Sequence, residues 1–126
     1  MSIDDVRVQR VQDVLLTVSR AEEGAHVRLA LVGELDLSNV PTLETTLGAA
    51  IESGNKVVVD LSGLEFLDST GLALILRMLG RSDAERFSFV PSKSRNVRRL
   101  LSLTGLDERM AVDTAGDESL PSLPAA

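Results

Sequence analysis

One stretch limits what this chain can fold into more than any other: Lys56 to Arg81, KVVVDLSGLEFLDSTGLALILRMLGR. Val57, Val58, Val59 and Leu61 form a β-branched run without polar alternation, the pattern of a strand covered on both faces. Leu64, Phe66 and Leu67 tie the connection that follows to the core. From Leu72 to Leu79 only Arg77 is polar, and Leu72, Ile75, Leu76 and Leu79 fit the i, i+3, i+4, i+7 spacing of a buried helix face. Gly80 is placed to stop that helix as its C′ residue. The segment therefore predicts a buried strand, a short turn and a buried helix. Asp68-Ser69-Thr70-Gly71 sits at the joint, with Asp68 or Ser69 as N-cap because either side chain accepts a backbone N–H from the first turn.

A carboxylate and a hydroxyl at the mouth of so apolar a helix have two readings. In the first, Asp68 and Ser69 cap the helix and do nothing more. In the second, Ser69 is a hydroxyl placed for phosphorylation. A phosphate would add about −1.5 to −2 charges at one point. It would lie beside the partial positive charge of a helix N-terminus, so the fold would tolerate it. The local pattern leaves both open.

The rest of the chain surrounds this unit with more of the same alternation. Met1 to Asp13 is polar with spaced valines, an arm or an edge strand. Val14 to Ser19 and His26 to Val32 read as two strands of a hairpin, with Val27, Leu29 and Leu31 on one face and His26 on the outward set. Gly33-Glu34-Leu35-Asp36-Leu37 leads to a helix capped at Ser38 or Asn39. Pro41 suits its first turn, Val40, Leu43, Leu47, Ala50 and Ile51 form its stripe, and Gly54 ends it. After a charged loop at Asp83 to Arg86, Phe87 to Val90 is a short strand closed by Pro91. Ser94 caps a third helix in which Val97, Leu100, Leu101 and Thr104 share a face, Gly105 is C′ and Leu106 follows. Arg95, Arg98 and Arg99 lie away from that face, as a solvated surface or a partner contact. Met110 to Val112 reads as a last short strand. Residues 113–126 hold prolines, small residues and acids and read as a disordered tail. The expected fold is α/β: one domain over residues 14–112, with a mixed, mostly parallel sheet of about four to five strands opened by a hairpin, and three helices.

Composition removes several function classes. The 126 residues suit one domain. With no Trp or Tyr, and a formal net charge of −6, neither base stacking nor general binding to nucleic acid or an anionic membrane is expected. There is no Cys and one His, His26, so no thiol chemistry and no multi-histidine metal site is expected. No signal-peptide pattern and no long apolar run is seen, which makes a cytoplasmic protein the default. Phosphate-loop and GxSxG motifs are absent. Neither a catalytic residue set nor a cofactor is predicted. Asp60 near the end of a buried strand, with Lys93 after Val90-Pro91, superficially resembles a two-component receiver domain. Against that, Asp4-Asp5 precede any strand and the opening hairpin breaks a receiver's alternation.

Gly33-Glu34-Leu35-Asp36, then Val57-Val58-Val59-Asp60-Leu61-Ser62, then Phe66-Leu67-Asp68-Ser69-Thr70-Gly71-Leu72, with Leu103-Thr104-Gly105-Leu106 closing the third helix, resemble the STAS domain. More narrowly, they are similar to the bacterial anti-sigma factor antagonists. The resemblance implies a partner-switching module of transcription and stress regulation. Its unphosphorylated form binds an anti-sigma factor that is also a serine kinase and frees the sigma factor. Phosphorylation of Ser69, with Thr70 the lesser candidate, abolishes binding, and a PP2C-type phosphatase resets the switch. Asp36, Asp68, Thr70, Gly71 and Leu72 are implied as the surroundings of the phosphosite and the partner contact. The alternative is a STAS scaffold subunit of a signalling or transport complex in which Ser69 is only part of a cap. The family usually closes with a further helix; with Pro121 and Pro124 and little apolar periodicity in that region, this helix is expected to be short or missing.

Overall fold

The computed structural model describes residues 7–12, 15–81 and 84–105. Its five strands are β1 (Arg7–Gln12), β2 (Leu16–Glu23), β3 (His26–Leu35), β4 (Lys56–Leu67) and β5 (Phe87–Val90). Among the described residues the helices are α1 (Val40–Glu52), α2 (Ser69–Leu79) and α3 (Arg95–Leu103), with a 3-10 turn at Ala84–Arg86. The strands lie in chain order, β1-β2-β3-β4-β5. β1 and β3 both run antiparallel to β2, so the chain opens with an edge strand and a hairpin. β3–β4 and β4–β5 are parallel. Parallel neighbours need a crossover, and α1 and α2 provide the two. The proposed strand at Met110 to Val112, the start of the first strand at Val14 and the residues after Gly105 lie outside the described residues.

β4 is the main departure from expectation. It does not stop near Leu61 but runs twelve residues to Leu67. Ser62-Gly63 has the composition of a turn, yet the chain stays extended because β3 continues beside it to Leu35. Two register shifts, between Ala30 and Val32 and between Gly33 and Glu34, absorb the extra residues of β4. Two glycines allow close approaches on either side of β3, Gly33 to the start of β2 and Gly63 of β4 to β3 itself. A Cβ on Gly33, whose φ is +117°, would lie 2.1 Å from the Leu15 carbonyl oxygen. A Cβ on Gly63 would lie 2.9 Å from Val32 Cγ2. β5 covers only Val57 to Asp60 on the far side of β4. Further along, the loop before α3 takes over that edge: Ser92 Oγ donates to the Leu64 carbonyl at 2.7 Å and the Lys93 amide to that of Ser62 at 3.4 Å. Leu64 and Leu67 are buried as expected, but Phe66 is 46% exposed. The second shift pairs Phe66 with Glu34, on the opposite face from the Leu35–Leu67 pair.

The helices bury aliphatic stripes against the alternating core residues of the sheet. α1 contributes Val40, Leu43, Leu47 and Ala50, and α3 contributes Val97 and Leu101. Leu100 is partly buried, and Thr104 is exposed, returning its hydroxyl to the Leu101 carbonyl at 2.9 Å. In α2 the buried residues are Gly71, Leu74, Ile75 and Met78. The spacing is the expected one but its phase is shifted, so Leu76 stands 42% exposed. A helix apolar nearly all round has no sequence-defined face, and the phase is chosen by what fits the sheet. Gly105 has the left-handed φ, +77°, of a C′ residue, and Gly54 likewise at +82°. Gly80 does not: it closes α2 at φ −92°, with its amide donating to the Leu76 and Arg77 carbonyls.

Candidate functional site

β3 and β4 end side by side, with Leu35 paired to Leu67, so the next residues, Asp36 and Asp68, leave the sheet as neighbouring chain segments. The Asp68 amide donates to the Leu35 carbonyl at 3.2 Å, which binds the two exits together. This is the carboxyl-end edge of the parallel strands β3 and β4, where the connections to α1 and α2 begin.

Asp68 is the N-cap of α2. One carboxylate oxygen, Oδ1, accepts the Thr70 amide at 2.9 Å, the Gly71 amide at 3.0 Å and the Thr70 hydroxyl at 2.5 Å. The other, Oδ2, accepts the Leu37 amide at 3.2 Å, across from the β3 exit. Desolvation pushes this carboxyl up, but the Thr70 hydroxyl and the Gly71, Leu37 and Thr70 amides together outweigh it and hold its pKa below the ordinary value. Asp68 is therefore a carboxylate at neutral pH.

The two hydroxyls at the joint are not equivalent. Thr70 is half-buried and donates to Asp68. Ser69, the first residue of α2, is exposed, and the cap passes over it to Thr70 and Gly71. Gly71 is buried where a Cβ would lie 2.7 Å from Leu67 Cδ1 and 2.9 Å from Leu35 Cγ. Its role is to let the start of α2 press onto the two strand ends. Leu72 packs partly against the core.

Asp36 begins the β3–α1 loop. Its Oδ1 accepts the Ser38 amide at 3.0 Å and the Ser38 hydroxyl at 2.6 Å, and its carbonyl accepts the Asn39 and Val40 amides at 3.0 Å each. Asn39 holds this loop in place, a role the sequence does not announce. It is 0% exposed, accepts the Asp36 amide at 2.9 Å and donates to the Glu34 carbonyl at 2.9 Å. It occupies the N-cap position of α1 yet makes no side-chain cap bond. An Asn before a helix reads as a cap, and only its burial shows the other use. Leu37, between the two acids in this arrangement, is 70% exposed.

The remaining candidates fall away from this place. Asp60 lies within β4, not at its end, and its carboxylate is held by Arg28 at 3.0 Å and the Ser62 amide at 2.9 Å. His26 starts β3 at the opposite end of the sheet and is exposed. Among the described residues no group of three or more His, Cys, Asp or Glu is arranged to hold a metal ion. No described helix is long and apolar enough to cross a membrane. What the joint offers is an exposed hydroxyl on the first turn of α2, directly after a capping carboxylate that also accepts the Leu37 amide of the β3–α1 loop.

The chain is similar to known proteins in sequence and fold. Residues 18–114 match the family described as Mlab, STAS domain. The anti-sigma-B factor antagonist of Staphylococcus aureus is 30% identical over 102 residues, covering 78% of this chain and 93% of that protein. The anti-sigma-B factor antagonist of Staphylococcus epidermidis is 35% identical over 85 residues, covering 64% of this chain and 77% of that one. Among solved structures, an anti-sigma factor antagonist from Mycobacterium paratuberculosis superposes with a TM-score of 0.63 at 26% identity, covering 92% of each chain. The antagonist SpoIIAA in its unphosphorylated form shares the fold, with a TM-score of 0.58 at 21% identity over 90% of this chain and 96% of that one. Sequence match, strand order and the shared fold agree: the chain belongs to the STAS domain family, alongside the bacterial anti-sigma factor antagonists.

Proposed function

We propose that this protein is an anti-sigma factor antagonist that works by partner switching, with Ser69 as its phosphorylated residue. Unphosphorylated, it binds an anti-sigma factor that also acts as a serine kinase, and a sigma factor is released. Phosphorylated, it lets go, and a PP2C-type phosphatase restores it. In this reading the chain is a cytoplasmic binding protein and not an enzyme; the chemistry belongs to the kinase and the phosphatase. The observation that carries the reading is the inequality of the two hydroxyls, Thr70 tied to Asp68 at 2.5 Å and Ser69 left exposed on the first turn of α2. The names of the relatives support the role.

The switch needs no refolding. Phosphate on Ser69 adds about −1.5 to −2 charges next to Asp68, at a helix N-terminus that accommodates an anion. Inside a contact that excludes water, juxtaposed like charges cost several kcal/mol. About 3 kcal/mol weakens binding roughly a hundredfold. Asp36, Asp68 and exposed Leu37 form the rim on which the partner rests, while Gly71 and Leu72 serve the packing beneath.

The test has two parts. Site-localised phosphopeptide mass spectrometry on protein from its own cells, with and without stress, should find phosphate on Ser69 with an occupancy that changes. Titration against the captured kinase should show Ser69→Ala binding like the unphosphorylated protein and Ser69→Glu binding about a hundredfold more weakly. A well-covered Ser69 peptide that never carries phosphate, or a Ser69→Glu variant that binds at full strength, sinks the switch.

A further inference from the structure

Ser69 and Thr70 are neighbours on the first turn of α2, about 1.5 Å apart along its axis. Both side chains offer the same nucleophile, a hydroxyl, so chain position alone does not separate them for a kinase. What separates them is Asp68. The Thr70 hydroxyl donates to Asp68 Oδ1 at 2.5 Å, and Thr70 is half-buried. Ser69 is exposed, and the bonds of the cap pass over it.

Phosphoryl transfer makes this difference matter. A hydroxyl oxygen attacks the terminal phosphorus of a nucleoside triphosphate and the bond to the leaving nucleoside diphosphate breaks. The hydroxyl proton passes to a base of the kinase. At Thr70 that proton is directed at Asp68 Oδ1, so the bond must break before the kinase can accept it. Asp68 is no substitute for the base. Desolvation pushes its carboxyl up, but the Thr70 hydroxyl and the Gly71, Leu37 and Thr70 amides outweigh it and hold its pKa below the ordinary value. It keeps the hydrogen bond without taking the proton. Nor is the carboxylate free to turn away: Oδ1 also accepts the Thr70 and Gly71 amides, and Oδ2 the Leu37 amide.

We propose that Asp68 selects the phosphorylated hydroxyl: it is a positioning residue that holds Thr70 back and leaves Ser69 to the kinase. This rests on the reading of Ser69 as the phosphosite and adds the residue that makes the choice. Two variants separate the choice from the cap. Glycine serves at an N-cap with little loss, so Asp68→Gly keeps the helix start and removes the acceptor. Asp68→Asn restores an acceptor. Three donors face Oδ1 and one faces Oδ2, which orients the amide oxygen toward Thr70. The full chain and each variant are incubated with the captured kinase and ATP, and the phosphate is localised by peptide mass spectrometry. Wild type should carry it on Ser69. In Asp68→Gly the share on Thr70 should rise about fivefold or more, the factor of a typical hydrogen bond. Asp68→Asn should bring that share back to the wild-type value. An unchanged share in Asp68→Gly, with wild type phosphorylated on Ser69, overturns the inference and leaves the switch standing. An equal rise in Asp68→Gly and Asp68→Asn does the same. Loss of phosphate from both residues in Asp68→Gly assigns Asp68 to the kinase contact and overturns it as well. A wild-type protein that takes no phosphate on Ser69 removes the switch and the inference together.

Discussion

Asn39 and Asp68 hold the same position, the residue before a helix that follows a strand end, and use it in opposite directions. Asp68 acts forward, on Thr70 and Gly71 of its own helix, and across to Leu37. Asn39 acts backward, on Glu34 and Asp36 of the loop it closes. Their chemistry explains the division. Every partner of the Asp68 side chain is a donor, which suits a carboxylate that only accepts. Asn39 meets one donor and one acceptor, which requires an amide. One residue fixes the mouth of α2 and the other fixes the loop that faces it. The exposed Ser69 follows Asp68 directly, on the first turn of α2.

Exchanging the two chemistries is the strongest way to break this comparison. Asn39→Asp places a carboxylate against the Glu34 carbonyl at a fully buried position and removes the side-chain donor to that carbonyl. It should cost about 3 kcal/mol or more, since a buried acceptor is left unsatisfied and a charge is buried beside it. Urea unfolding monitored by circular dichroism gives the number. A loss under about 1 kcal/mol would mean that the loop holds without Asn39 and that the two positions are ordinary caps.

Asp68→Ala is expected to be milder, about 1–2 kcal/mol at neutral pH, the cost of a lost cap. Its signature is in the pH dependence. The folded pKa of Asp68 lies below its unfolded value. The unfolded chain therefore takes up the proton first as pH falls, and the carboxylate's contribution is complete above the unfolded value, about 3.9. It is lost as pH drops through the folded pKa. The stability gap between wild type and Asp68→Ala should be constant from pH 7 to 5 and narrow below about pH 4. A gap that stays flat into that range would show that the hydrogen bonds to Asp68 do not depend on its charge.

The same contrast explains which parts of the fold are legible in the sequence. β5 at Phe87 to Val90 and α3 between Ser94 and Gly105 follow from local signals: a β-branched and aromatic run before Pro91, and a cap and a stop around one apolar face. Asp68 is legible because a cap that acts forward is a local event. Asn39 is not, because what it holds lies behind it and its burial depends on the β3 exit. The second half of β4 is hidden for a related reason. Ser62 and Gly63 have turn composition, and only the parallel neighbour β3 keeps them extended. The phase of α2 is hidden because Leu72, Leu74, Ile75, Leu76, Met78 and Leu79 all qualify for its buried face, and the choice is made by the sheet. The site joins a part that is local and a part that is not, and the exposure of Ser69 depends on both.

The smallest predicted effect separates the two hydroxyls. Thr70→Val keeps the side-chain shape and removes the hydroxyl that donates to Asp68 at 2.5 Å. It should cost about 1 kcal/mol, as for a typical hydrogen bond, Thr70 being only half-buried. Ser69→Ala removes an exposed hydroxyl that the cap does not use. It should change stability by no more than about 0.5 kcal/mol in either direction. Alanine also suits the first turn of a helix at least as well as serine. If the order is reversed, with Ser69→Ala the costlier change, then Ser69 belongs to the cap, and its hydroxyl is held by the helix mouth and not presented from it. If the order stands, the residue proposed to carry the phosphate is the one the fold can do without.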